Sequence, residues 1–208
     1  MINPLASPVQ PWWSELSSPR SEGVRTRQAS FLPSVFPGIP SMRSALSLQL
    51  EALVRRETRD GLLARLADIP FERHTELTGW IAVVHPDARA RRLTIMHAGA
   101  SLCAMQADPM MGTDYLDLVD PAYKGEAFDS AFMMLSRPCG LWQLSPVLFA
   151  DGSSDVLELT GFPVFDEDNG RGVILFLIRN AGLSFHGVTS VGHAHTWAWL
   201  ELRNGVST

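Results

Sequence analysis

The sequence predicts an α+β domain with a five-stranded antiparallel sheet and helices on one face. Three observations predict it. Residues 77–85 and 92–97 are rich in β-branched, aromatic and aliphatic side chains, and Pro86-Asp87 between them is a turn signal, so they read as a strand hairpin. Residues 98–136 then carry short helical patterns. Three further strand-like segments follow, at 141–150, 156–165 and 172–179. Helices inserted after the second strand of such a series gather on one side of an antiparallel sheet.

The elements follow in chain order. Residues 1–41 hold half of the prolines, from Pro4 to Pro40, with serines between them. Each proline fixes its own backbone and disfavours helix in the residue before it, so this stretch reads as a Pro/Ser-rich irregular arm. Trp12-Trp13, Phe31, Leu32, Val35 and Phe36 are costly to leave in water, and docking or dimer packing is expected of them. Residues 42–76 form a flanking segment. Ser41 or Ser44 can cap a helix, and Leu46, Leu50, Leu53 and Val54 share one apolar face at helical spacing. Gly61 can bend the helix, Leu62, Leu63, Leu66 and Ile69 resume the face, and Pro70 ends it. The helix is expected over 42–68, as core cover or as a homodimer seam.

Within the domain, Leu93 and Ile95 alternate with Thr94 and Met96 in the second strand. Short helices are expected at 98–107 and 113–119. A longer one over 121–136 would bury Ala122, Phe128, Ala131, Phe132 and Leu135. Asp151-Gly152 closes the third strand, and Asp166 to Gly170 makes an acidic hairpin tip after the fourth. Residues 173–178, Val-Ile-Leu-Phe-Leu-Ile, read as a central strand buried on both faces. Residues 181–208 remain as a C-terminal extension or extra strand.

Composition narrows the function. The chain has 208 residues, of which 46% are apolar and 19% charged, so it can bury a core without staples. A net charge of -5 argues against nucleic acid as a partner, since phosphate binding needs a basic face. The two cysteines, Cys103 and Cys139, are too few and too far apart for a disulfide framework or a zinc site, and reduced thiols are expected. The longest apolar run, 173–178, is far too short to span a bilayer, and no leader pattern opens the chain. A cytoplasmic protein with no membrane contact is the expectation.

Four stretches carry a family resemblance: Arg92 to Gly99 (Arg-Leu-Thr-Ile-Met-His-Ala-Gly), Gly112 to Pro121 (Gly-Thr-Asp-Tyr-Leu-Asp-Leu-Val-Asp-Pro), Arg137 to Trp142 (Arg-Pro-Cys-Gly-Leu-Trp), and Gly161 to Phe165 (Gly-Phe-Pro-Val-Phe). Over about residues 77–180 the chain resembles a PAS domain, and is similar to the short stand-alone PAS proteins of alphaproteobacteria. The resemblance implies a sheet cupping a pocket, dimerisation through a helix before the first strand, and regulation rather than catalysis. It places the candidate pocket lining at Ile95, His97, Tyr115, Phe132, Trp142 and Phe162, with Cys139 beside it.

Chemistry is then weighed residue by residue. The Asn-Cys-Arg-Phe-Leu-Gln motif of the flavin photosensors in this family is absent, and Cys103 lies in Leu-Cys-Ala-Met on the helix after the second strand. Heme needs an axial His, Cys, Met or Tyr in an apolar pocket, and His97 or Cys139 are the candidates for it. His193-Ala194-His195 would put two imidazoles on one face of a strand, as a metal pair does, but no third ligand is spaced to complete the set. Trp197 and Trp199 alternate with Thr196, Ala198 and Leu200, and the bland reading is a C-terminal strand or tail whose His and Trp face packs on the sheet or on a second subunit. No nucleophile has a base and an orienting group at a recognisable spacing. The reading that results is a regulatory protein that is not an enzyme. It acts on a protein partner in a signalling pathway, as a homodimer through 42–68, with a small apolar ligand as the candidate switch. A heme or other cofactor sensor is the first alternative. A metal-dependent enzyme using His193 and His195 is the second.

Overall fold

The computed structural model describes residues 42–59, 63–106, 109–180 and 187–202. The arm at 1–41 lies outside the described residues, and so do the Trp12-Trp13 and Phe31 to Phe36 clusters. Helix α1 (Ala45–Glu57) leads, followed by the short strand β1 (Ala64–Arg65), 3-10 turns at Leu66–Asp68 and Phe71–Arg73, and helix α2 (Thr75–Thr78). The hairpin β2 (Ile81–Asp87) and β3 (Arg92–Ala98) comes next, then helix α3 (Ala100–Met105). Further 3-10 turns at Tyr115–Leu118 and Pro121–Tyr123 lead into helix α4 (Lys124–Ser136). The chain closes with β4 (Cys139–Phe149), β5 (Ser154–Asp166), β6 (Arg171–Asn180), β7 (Val188–Val191) and β8 (Thr196–Glu201).

The largely antiparallel α+β sheet expected from the sequence is present, but among the described residues it has eight strands where five were expected. Its order is β3-β2-β6-β5-β4-β7, with β8 also on β4 and β1 on β5. The added strands follow from edges left open by the central five. β4 is eleven residues long, so its outer edge takes β8 at Cys139 to Leu144 and β7 at Val147 to Phe149. β5 runs past the end of β4, and β1 fills that gap in parallel, Ala64 opposite Val164.

The helices cover both faces, not one. Side chains alternate along each strand, so Leu141 and Trp142 point to opposite sides, as do Phe176 and Leu175. The front face packs α3, α4 and the Tyr115 turn over Ile95, Leu141, Leu159 and Phe176. The back face packs α1 through Leu50, Leu53 and Val54 over Trp142, Phe162, Val164 and Leu175. β6 lies in the middle and is buried from Val173 to Ile178, which is why it reads as one continuous apolar run.

The flanking helix also ends earlier than 68. Ser44 caps its start, its side chain accepting from the Ser47 backbone N–H. At the other end the Thr58 backbone N–H and hydroxyl both donate to the Val54 carbonyl, at 2.9 and 2.8 Å, and the chain turns extended. Leu66 and Ile69 therefore continue the apolar cover through a strand and a turn, not through helix. The face of α1 that the sequence offers to a dimer seam is used inside the chain, with Leu50 and Val54 at 0% exposure. Among the described residues of this segment, Met42 and Leu48 are the large apolar side chains left exposed.

Candidate functional site

The front face encloses two cavities on either side of Tyr115. The larger, about 120 Å³, is a cleft between α4 and the sheet. Its floor is Leu93, Leu141, Leu159 and Phe176, and its helical wall is Ala127, Ser130, Ala131 and Met134. Tyr123, Glu126, Gln143, His193, Trp197 and Trp199 bring polar and aromatic groups to it. The smaller, about 40 Å³, is almost wholly apolar and lies under α3, lined by Ile95, Leu102, Met105, Met110, Leu157 and Ile178 among others. Tyr115, Leu159 and Val191 belong to both.

Local sequence explains how these groups arrive. Asp114 accepts from the backbone N–H of Leu116 and of Leu93, which ties the Tyr115 turn to β3. Tyr115 is thereby driven inward and stacks near Phe176, with ring centroids 6.2 Å apart. Burial pushes its hydroxyl up to about 12, so it stays protonated. Asp120 caps the next turn by accepting from the Ala122 backbone N–H, and its own backbone N–H donates to Val191 at 3.0 Å. That bond stitches β7 to the helix layer and holds one end of the cleft. Across the mouth, His193 in the turn between β7 and β8 lies 3.5 Å from the Glu126 carboxylate and 4.8 Å, ring to ring, from Tyr123. β8 then alternates. Trp197 and Trp199 face the front, edge to face at 6.3 Å, while Ala198 and Leu200 join the back-face core.

The seven expected lining residues divide. Ile95 lines the smaller cavity and Tyr115 lines both. Phe132 packs on Phe128 at 4.7 Å at the edge of the front core and lines neither. Trp142 and Phe162 are completely buried on the back face under α1, because their strand positions have the opposite parity to Leu141 and Leu159. His97 is exposed on β3. Cys139 is buried outside both cavities, and burial pushes its thiol up to about 11. Neither His97 nor Cys139 lines either cavity, and a cleft of about 120 Å³ is far smaller than the roughly 300–1,000 Å³ of a drug-sized site.

His193 and His195 lie in a turn, not on one face of a strand, and both are exposed. His193 meets Tyr123 and Glu126, while the His195 backbone N–H donates to Leu144. Among the described residues no three His, Cys, Asp or Glu side chains cluster as a metal site would require. Among those residues no helix is long and apolar enough to cross a membrane.

Sequence reasoning missed Tyr123, Glu126, Gln143, Trp197 and Trp199 as lining. The signal within reach was the alternation of Thr196 to Leu200, which marks a strand with two tryptophans on one face. Nothing in the sequence pairs that strand with β4.

No family model matches the sequence, and no curated protein matches it. Among solved structures, the PAS domain of a protein from Colwellia psychrerythraea is similar to this chain. It is 13% identical with a TM-score of 0.40, and the match covers 55% of this chain and 97% of that one.

Proposed function

We propose that this chain is a regulatory sensory domain of the PAS type, switched by a small ligand held between α4 and the sheet. The observation that carries the reading is the front-face cleft. Its depth is apolar, its mouth is polar and aromatic, and its walls come from separate elements: the sheet, α4 and the turn before β8. A ligand touching all three couples the position of α4 and of the C-terminal strands to occupancy. The size suits a ligand of few heavy atoms. The signal leaves through protein contacts, and the exposed Met42 and Leu48 are candidate contact points. The four sequence stretches that resemble PAS domains support the same reading.

Native mass spectrometry of the purified full chain, set against its denatured mass, tests this. A small added mass is expected in wild type. It should be absent from Ser130→Trp, where an indole on the half-buried helical wall fills the cleft. A ligand retained in full by that variant overturns the assignment of the site.

A further inference from the structure

Building on that reading of the cleft, we infer that its ligand is an organic cation: a protonated amine or quaternary ammonium on a small apolar body. The argument is charge complementarity at the mouth. Among the described residues that line the cleft, Glu126 is the only acidic side chain, and there is no arginine or lysine. Cations on the neighbouring elements have other partners: Lys124 pairs with Asp117 at 3.6 Å, Arg92 with Asp114 at 3.4 Å, and the Arg91 guanidinium lies over the Phe128 ring at 4.6 Å. A carboxylate or phosphate ligand would therefore meet the Glu126 carboxylate with no arginine or lysine among the described lining residues to offset it.

The other groups at the mouth suit a cation as well. Trp197, Trp199 and Tyr123 bring three electron-rich rings to the cleft, and a cation over such a ring, tryptophan above all, is attracted by its quadrupole. Trp197 is 48% exposed, an unusual cost for a tryptophan unless something covers it. Gln143 donates its amide N–H to the Ser145 hydroxyl at 3.0 Å and keeps its carbonyl oxygen as an acceptor for a ligand N–H. Below the mouth the floor of Leu93, Leu141, Leu159 and Phe176 has no charge and takes an apolar body. The ligand's ammonium replaces His193 as the neighbour of Glu126, so the turn before β8 shifts when the ligand enters.

Isothermal titration of the full chain with three matched probes tests this: phenethylamine, 3-phenylpropionate and 2-phenylethanol. Wild type should bind the amine about tenfold or more tightly than the carboxylate, with the alcohol between them. Glu126→Gln, an exposed and conservative change, should narrow the amine's advantage to about twofold while leaving the alcohol unchanged. Trp197→Ala should weaken the amine more than the alcohol. If the carboxylate or alcohol binds as tightly as the amine, or Glu126→Gln keeps the preference, the cation assignment falls while the cleft survives as a binding site. Failure of all three probes also overturns it, and the native mass of wild type against Ser130→Trp then shows separately whether the cleft holds anything.

Discussion

Glu158 is a charged side chain buried to 9% exposure in the back-face core, and its partners explain how it is tolerated there. Its Oε1 accepts from the Trp142 indole N–H at 2.8 Å and from the Ser44 backbone N–H at 3.0 Å. The N-cap residue of α1 is thus tied to the sheet, and the Ser47 and Thr160 hydroxyls add a second tie at 2.7 Å. Replacing Glu158 by leucine leaves the buried Trp142 indole N–H without a partner and frees the half-buried Ser44 N–H, which should cost about 1–3 kcal/mol by urea denaturation. Adding Trp142→Phe removes one of those donors, so the pair should cost less than the sum of the two single changes. Strict additivity would show that the carboxylate is not the partner of the indole.

At the scale of elements, α1 is the part whose role the structure changes. Its apolar stripe is not held out for another chain but seals the back face over Trp142, Phe162 and Leu175. Glu51 shows how firmly the helix is set. Burial alone would raise its pKa, yet the Arg43 and Arg55 guanidinium groups beside it hold it below the usual carboxylate range. Removing residues 1–57 should therefore leave an aggregating, partly unfolded product, because it uncovers three large side chains at once. Size-exclusion chromatography and circular dichroism check this. A well-folded monomer from that deletion would restore the helix to the role of a dimer seam.

For the molecule as a whole, pH dependence should show at His85, on β2. Burial and then the nearby Arg171 guanidinium lower its pKa below the ordinary 6.5, with Asp87 and Asp166 pulling the other way. Its Nδ1 is buried with no hydrogen-bond partner. Above the ordinary value His85 is neutral in both states and costs nothing. As pH falls through that value the unfolded chain gains a proton that the folded chain resists, so stability declines until the folded His85 titrates too. The urea midpoint should drop between about pH 7.5 and 5.5, and His85→Gln should drop less over the same window. An equal fall in both would assign the loss to other groups.

How far the sequence determined this protein depends on the range of the interactions involved. The β2–β3 hairpin (although its first strand was expected from 77 and begins at 81), the helix before β4 and the continuous apolar run of β6 are local patterns, and local chemistry was enough to read them. It was also enough for the α+β antiparallel class, though for neither the strand count nor the helix on the second face, because helices inserted after the second strand leave few ways to cover an antiparallel sheet. What only the tertiary structure decided is which face each strand presents and what pairs with the open edges. A shift of one residue in register moves a side chain from front to back, and that is why Trp142 and Phe162 lie under α1 while Leu141 and Leu159 floor the cleft. The cleft's own polar and aromatic residues come from α4, β4 and β8, which are up to about seventy residues apart in the chain and meet only because β8 docks on the outer edge of β4. No sequence period records that pairing. The site therefore emerged from the fold, and its chemistry from side chains whose roles were invisible until they converged.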